Sequence, residues 1–311
     1  MDLMWQMGNE VRFNGERPIL SIIIVSYNTL DLIGDCLTSV FEASNITREV
    51  FVVDNASTDG SSDFINDNFP SVHLLANTKN VGFAAANNQV LQQCKGKYIF
   101  FLNPDTTVLS NAFSEAISFM DAHPRFGLAG TKIINSDGTL QRSVSYKYPG
   151  QKYAANTLSN LPGNIACVLG ASMIGRSELI KKIGGFDEDF FLYGEDQDLC
   201  LKIRKLGYEI GYTDSAVVIH LGGQSEKTSS SSEIWGKKVR AEYIFYRKHY
   251  LPKTIKRISR TNILKAWWRI MTLKLFLPFI KEKTKTNEKL GKYQVIYHSI
   301  RKSINRNSEK K

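Results

Sequence analysis

The sequence is poor in the features that mark several large classes of protein. It has 4 cysteines in 311 residues. These are Cys36, Cys94, Cys167 and Cys200, far apart and in apolar or helical contexts. No CxxC pair exists, which disfavours a zinc site or a redox pair, and reduced core thiols in a cytosolic protein are expected. No uncharged apolar run reaches the roughly 18 residues of a membrane span, so no transmembrane helix is expected. Residues Met1 to Arg17 mix acids with scattered apolar residues and lack the apolar core of a signal peptide. No G-x-G-x-x-G follows the first apolar run, and no G-x-x-x-x-G-K-[ST] occurs, so neither a Rossmann dinucleotide site nor a P-loop is indicated.

What is present is an ordinary globular composition, long enough for a large core. One domain plus an appendage is the natural reading. The formal net charge is +10, and most of the excess lies after Tyr246. Such a block suggests an anionic surface: membrane lipid, nucleic acid or a polyanionic substrate.

Strand-like and helix-like stretches alternate. Ile19–Ser26, Glu49–Asp54, Val72–Leu75 and Tyr98–Leu102 are short apolar runs of the kind buried in a parallel sheet. Helical spacing covers Leu30–Phe41, about 61–68 with Ser61 or Ser62 as cap, and Gly82–Cys94. This βαβ alternation predicts an α/β fold with a mostly parallel central sheet and helices on both faces. A helix near Asn111–Ala122 and a strand at Phe126–Thr131 follow, then a tight turn at Asn135–Gly138. Arg142–Asn164 is irregular, and a loop this long is usually functional or mobile. A strand is expected at Cys167–Ile174, with Gly170-Ala171 permitting close approach of a ligand. A helix is expected from Glu195 to Gly207, and strands at Tyr208–Tyr212 and Ala216–Ile219.

Polar residues gather where strands end. Tyr27-Asn28, Asp54-Asn55 and Asn103-Pro104-Asp105 each follow an apolar run, the edge at which open α/β sheets bind ligands. Pro104 stops the strand and leaves Asp105 on a rigid end, where a carboxylate can serve a hard cation or cap the next helix. Asp54 can accept from the imide N–H of a uracil or thymine ring, or close an Asx turn. Glu195, Asp196 and Asp198 crowd the first turn of a helix behind an aromatic-rich loop, more acid than a helix dipole calls for. His220 ends an apolar run of the same kind as the one before Asp105, and is either structural or a ligand.

Six motifs stand in order: Ser21–Asn28, Val52–Asp59, Asn80–Asn88, Phe101–Asp105, Gly184–Asp187 and Tyr193–Cys200. Together they resemble family 2 glycosyltransferases, inverting enzymes of GT-A fold, with the closest look to the bacterial rhamnosyltransferase-like branch. The resemblance covers roughly residues 18–225. It implies a nucleoside-diphosphate sugar donor, with rhamnose one candidate sugar, and a divalent cation, Mg or Mn. Asp54 matches the nucleobase-binding Asp. Tyr27, Asn28, Asn55, Asn80, Gly82, Phe83, Asn87 and Asn103 fall in the matching donor-site motifs. Asp105 matches the last acid of the DxD metal motif, and His220 a position that can join it. Asp196 matches the catalytic base, with Glu195 beside it to orient it or contact the acceptor. Asn103 replaces the first acid of DxD, so one carboxylate is left for the cation, and donor phosphates are expected to share in holding it.

Three regions follow: a tail at 1–17, the glycosyltransferase domain at 18–225, and a basic amphipathic helical extension at 226–311. From Arg247 onward cations far outnumber acids. Ile263–Ile280 interleaves Trp267 and Trp268 with Lys265, Arg269 and Lys274, which suits a helix lying in a membrane interface or one packed on the catalytic domain. Structure is expected to fade from about Asn305. The expectation is a cytoplasmic enzyme, peripheral on the inner face of the plasma membrane, that serves a saccharide or lipid-linked acceptor in surface polysaccharide synthesis and binds no nucleic acid. The rival is a membrane-docked nucleotide-sugar-binding protein without transfer activity, which would have no need of Asp196.

Overall fold

The structure is a computed structural model that describes residues 17–43, 46–154, 157–224, 229–277 and 283–308, with 303–308 by backbone alone. All but one residue of the expected N-terminal tail, and Pro278–Ile280 of the amphipathic segment, lie outside the described residues. The chain forms two compact units.

The first unit is built on an eight-stranded sheet of order β3-β2-β1-β4-β9-β6-β10-β5. Its centre is β1 (Leu20–Ser26), parallel to both β2 (Arg48–Asp54) and β4 (Tyr98–Leu102). β1 and β4 are buried along their whole length, as their unbroken apolar sequences require, because helices cover both faces. β3 (His73–Ala76) extends the parallel side beyond β2. α1 (Leu30–Glu42), α2 (Ser61–Asn68) and α3 (Phe83–Leu91) supply the crossovers. α4 (Ala112–Ala122) sets Phe113 edge-on to Phe100 at 5.0 Å in the core.

The other half of the sheet mixes directions. β9 (Ser172–Arg176) runs antiparallel to β4 and to β6 (Phe126–Ile134). β10 (Glu209–His220) is parallel to β6, and β5 (Thr106–Val108) closes the edge antiparallel to β10. Several local expectations are corrected here. The strand expected at Cys167–Ile174 is two, β8 (Cys167–Val168) and β9, because the chain turns through Leu169–Ala171. β8 pairs with β7 (Val144–Ser145), inside the stretch read as irregular. The two strands expected at 208–219 are one strand, which shifts register between Thr213 and Val217. Gly60, not Ser61 or Ser62, caps α2, with a φ of 90° open to glycine. The Asp59 carboxylate then accepts from the Ser61 N–H and hydroxyl. α5 (Ser177–Lys182) leads to the glycine-rich loop before α6 (Glu195–Lys205). The four cysteines are free and buried, and burial pushes the Cys36 thiol up to about 12.

The second unit holds α7 (Ser231–His249), α8 (Pro252–Phe276) and α9 (Lys283–Ser308), with Pro149–Asn160 and Leu192–Gly194. A reciprocal Ser230–Glu233 capping box opens α7, and Pro252 opens α8 where its missing N–H costs nothing. Tyr243 donates to Ser259 across the α7–α8 contact, and Lys292 lies 3.5 Å above the Trp235 ring. α9 continues to Ser308, past the residue at which structure was expected to fade. No helix among the described residues is long and apolar enough to cross a membrane.

Candidate functional site

The site follows the carboxyl ends of β1, β2 and β4. At the end of β2, Asp54 is 2 % exposed. Its Oδ2 accepts from the Ser57 N–H at 2.9 Å, while Oδ1 is buried with no hydrogen-bond partner among the described residues. A buried carboxylate oxygen left bare is costly unless something else donates to it, so Oδ1 is a ready acceptor for a ligand N–H.

The loop around Asp54 is tied to the end of β1. Asn28 sits at φ 51°, donates its N–H to Ser57 Oγ, and accepts from the Thr58 N–H. Asp59 Oδ2 accepts from the Leu30 N–H at the start of α1. Tyr27 is partly exposed beside this junction. Asn55 has a different part. Its amide donates to Asn80 Oδ1 and Gly82 O, and accepts from Asn77 Nδ2 and the Val81 N–H. All of its hydrogen-bonding capacity is spent on the loop that carries Asn80 and Gly82. Asn87 is buried on α3 and donates to Phe83 O, and Phe83 meets Phe186 edge-on at 5.7 Å. Gly82 has φ 90°, and a Cβ there would stand 2.7 Å from Phe191 O. These contacts fix the loop that carries Asn80 and Gly82 to the end of β2, next to Asp54.

Asn103, Asp105 and His220 come together. β5 pairs His220 with Thr106, and the Leu221 N–H donates to Asp105 O, so the ends of β4 and β10 are held side by side. Asp105 Oδ1 is buried, lacks a hydrogen bond, and lies 3.3 Å from His220 Nε2. Asn103 Nδ2 is 3.5 Å from the same nitrogen. No group of three His, Cys, Asp or Glu that could hold a metal exists among the described residues. The pair still fits a hard cation: neighbouring ligands on an octahedral ion with bonds of about 2.1 Å stand about 3 Å apart.

The second acidic centre opens α6. Asp196 accepts from the Gln197 N–H at 2.7 Å and the Gly170 N–H at 3.4 Å. Burial raises the Asp196 carboxyl above the ordinary carboxylate range, against those backbone donors. Burial, and then the Asp196 charge, raises Glu195 as well, and Glu195 Oε2 is buried without a partner. Of the two, Asp196 is the one equipped to ionise. Asp198 is different again: Lys202 Nζ reaches its Oδ2 at 2.9 Å, and this ion pair anchors the helix. The turn Leu169–Ala171 links both centres, because Ala171 O accepts from the Asn103 N–H while Gly170 donates to Asp196. Sequence reasoning missed Ser57, Asp59 and Gln141, the last of which contacts His220 Nδ1 at 2.6 Å. The first two lie in the Val52–Asp59 motif without an assigned role, and nothing marked the third.

Known proteins resemble this chain in sequence and in fold. An L-rhamnosyltransferase of Mycobacterium tuberculosis, acting by its name on N-acetylglucosaminyl-diphospho-decaprenol, is 24% identical over 246 residues, 70% of this chain and 80% of that protein. A putative teichuronic acid biosynthesis glycosyltransferase of Bacillus subtilis is 31% identical over 127 residues, 40% of this chain and 50% of its own length. An uncharacterized Sinorhizobium fredii protein, 24% identical over 221 residues, is matched over 65% of this chain but only 24% of its own length. Among solved structures, a Pyrobaculum calidifontis mannosyltransferase in complex with GDP-Man and Mn2+ superposes with a TM-score of 0.60 at 18% identity, covering 94% of this chain and 89% of that one. That likeness establishes the GT-A fold. The profile described as glycosyl transferase family 2 matches residues 21–184, more than half of the sequence. The chain belongs to glycosyl transferase family 2 and is a glycosyltransferase.

Proposed function

We propose that the enzyme transfers a sugar from a nucleoside-diphosphate donor to a saccharide or lipid-linked acceptor in bacterial surface polysaccharide synthesis, with inversion at the anomeric carbon. The observation that carries this reading is the pair of buried carboxylate oxygens without a hydrogen bond, Asp54 Oδ1 and Asp105 Oδ1, which follow the two strands that flank β1. Asp54 accepts the ring N–H of the base. Asn28 and Tyr27 border it, and the loop held by Asn55 and Asn80 walls the donor pocket. Asp105 and His220 would hold a divalent cation, Mg or Mn, with donor phosphates sharing in its binding. When bound, the cation neutralises charge that develops on the departing diphosphate. Asp196 takes the proton of the acceptor hydroxyl as its oxygen attacks the anomeric carbon, and the diphosphate leaves from the opposite face with the bonding pair. Glu195, kept protonated by its burial and then by the Asp196 charge, borders the base and meets the acceptor.

The Mycobacterium relative's name favours rhamnose as the sugar and a lipid-linked diphosphate as the acceptor. α8 supports a peripheral position on an anionic membrane. Leu264, Trp267, Trp268, Met271 and Leu275 are exposed on one face of that helix, and 19 Lys and Arg against 3 acids lie in residues 247–311. Each cation near such a surface contributes about 1 kcal/mol, and inserted apolar side chains resist release by salt. A panel of nucleotide sugars, each with and without Mn2+, tests the donor reading by thermal stabilisation and nucleotide release. One class should stabilise the protein and be turned over; a panel without effect refutes it. Co-sedimentation with anionic vesicles, only partly reversed by salt, is expected of the intact protein, and its absence refutes the membrane reading.

A further inference from the structure

Gln141 lies in the turn after β6, outside every motif named above, yet it makes the shortest contact to His220. Its Oε1 is 2.6 Å from His220 Nδ1. The neutral imidazole carries one proton, and which nitrogen holds it decides whether Nε2 can bind a cation. Four consecutive contacts answer that. Asp137 Oδ1 accepts from the Thr139 hydroxyl at 2.6 Å and from its N–H at 3.0 Å. Those bonds hold the Asp137 carboxyl below the usual range, so it is an anion that only accepts. With its proton given to Asp137, Thr139 Oγ1 accepts from Asn135 Nδ2 at 2.9 Å. The Asn135 amide is thereby oriented with Oδ1 toward Gln141, and Oδ1 accepts from Gln141 Nε2 at 3.0 Å. Gln141 must then present Oε1 to the imidazole. Flipping either amide would set acceptor against acceptor or donor against donor within this chain. The tight turn that brings these residues together is closed by Gly138 at φ 81°, whose N–H donates to Asn135 O.

We infer that Gln141, oriented by Asn135, Thr139 and Asp137, is a positioning residue that keeps the proton of His220 on Nδ1 and so turns the Nε2 lone pair toward the cation site beside Asp105. The inference rests on the metal reading above for its purpose, but not for its geometry. Without the Gln141 acceptor the proton gains more on Nε2, where the bare Asp105 Oδ1 stands 3.3 Å away. A hydrogen bond formed there would join the two ligands to each other and close the site. Partners of this kind, one step out from a ligand, commonly change metal affinity by about 10–100-fold.

The test uses the full chain and two readouts. Long-range 15N spectra of the histidine rings, taken without metal at mildly alkaline pH, report the tautomer, with His220→Gln assigning the signal. Mn2+ titrations followed by electron paramagnetic resonance, in the presence of UDP, dTDP or GDP, report affinity. The native protein should show an unprotonated Nε2. Gln141→Leu should move the proton to Nε2 and weaken Mn2+ by about 10–100-fold. Gln141→Glu gives up the donor to Asn135 Oδ1 but keeps an acceptor at His220 Nδ1, so it should keep the native tautomer and more of the affinity than Gln141→Leu, which separates positioning from a general loss of packing. A native His220 protonated at Nε2 overturns the inference, as does a Gln141→Leu protein with unchanged tautomer and affinity. A native protein that binds no Mn2+ with any nucleotide sinks the metal reading instead, and the spectra alone then decide the role of Gln141.

Discussion

Asp54→Asn isolates the base-recognition step. In the native protein one carboxylate oxygen is satisfied by Ser57 and the other is bare and buried. The substitution keeps the shape and can keep an oxygen on the Ser57 N–H, which turns an amide NH2 toward the empty position. There it meets the ring N–H of a uracil, thymine or guanine, donor against donor. A hydrogen bond to a charged acceptor is worth about 1.5–3 kcal/mol, so nucleoside-diphosphate affinity should fall by roughly 10- to 150-fold. Stability should move the other way or stay level, because a bare buried charge is removed. Calorimetric titration with the nucleotide that stabilises the native protein, paired with a melting curve, reads both. Unchanged affinity would refute the assignment of Asp54. A fall in affinity together with a collapse in melting temperature would show that Asp54 acts through the loop and not through the base.

Asp105→Ala should abolish the Mn2+-dependent part of nucleotide binding and leave the metal-free part, as calorimetry with and without Mn2+ can show. Glu195 and Asp196 bind protons more tightly in the fold than in the unfolded chain. Their contribution to stability is therefore full at acid pH and is lost as pH rises from the ordinary carboxylate value of about 4 through their raised midpoints. Glu195→Gln should flatten that decline in urea unfolding measured across pH. Because Asp196 must be ionised to act, turnover should rise with pH through a midpoint above the ordinary carboxylate value, and an ordinary midpoint would contradict its burial. Gly82→Ala places a Cβ against Phe191 O in a backbone conformation suited to glycine; a loss of about 1–3 kcal/mol in stability, seen as a lower melting temperature, is expected.

The fold was legible where burial is two-sided. Tyr98–Leu102 and Leu20–Ser26 are apolar runs because both faces are covered, and nothing but a central strand suits them. Three-residue β5 carries no period to detect, and its pairing with β10 is what sets Asp105 beside His220. The six residues of α5 are equally mute. In the site, Asp54, Asp105 and His220 were visible because each ends an apolar run. Asn55 was visible for the same reason, yet its amide is consumed within the loop, a fact that depends on Asn77, Asn80 and Val81. Gln141 is 79 residues from His220 in sequence, and no local pattern connects them.

The most direct test of the account is Asp196→Asn, with donor binding and product formation measured on the same preparation. The substitution preserves shape and can keep an oxygen on the Gln197 N–H at 2.7 Å, giving up only the longer Gly170 contact at 3.4 Å, and it removes the capacity to accept a proton. Donor affinity should stay close to native while turnover falls by about 10²–10⁴-fold, the usual cost of losing a general base. A variant that retains most of its turnover would contradict the central claim, because transfer would then be proceeding without the carboxylate assigned to drive it.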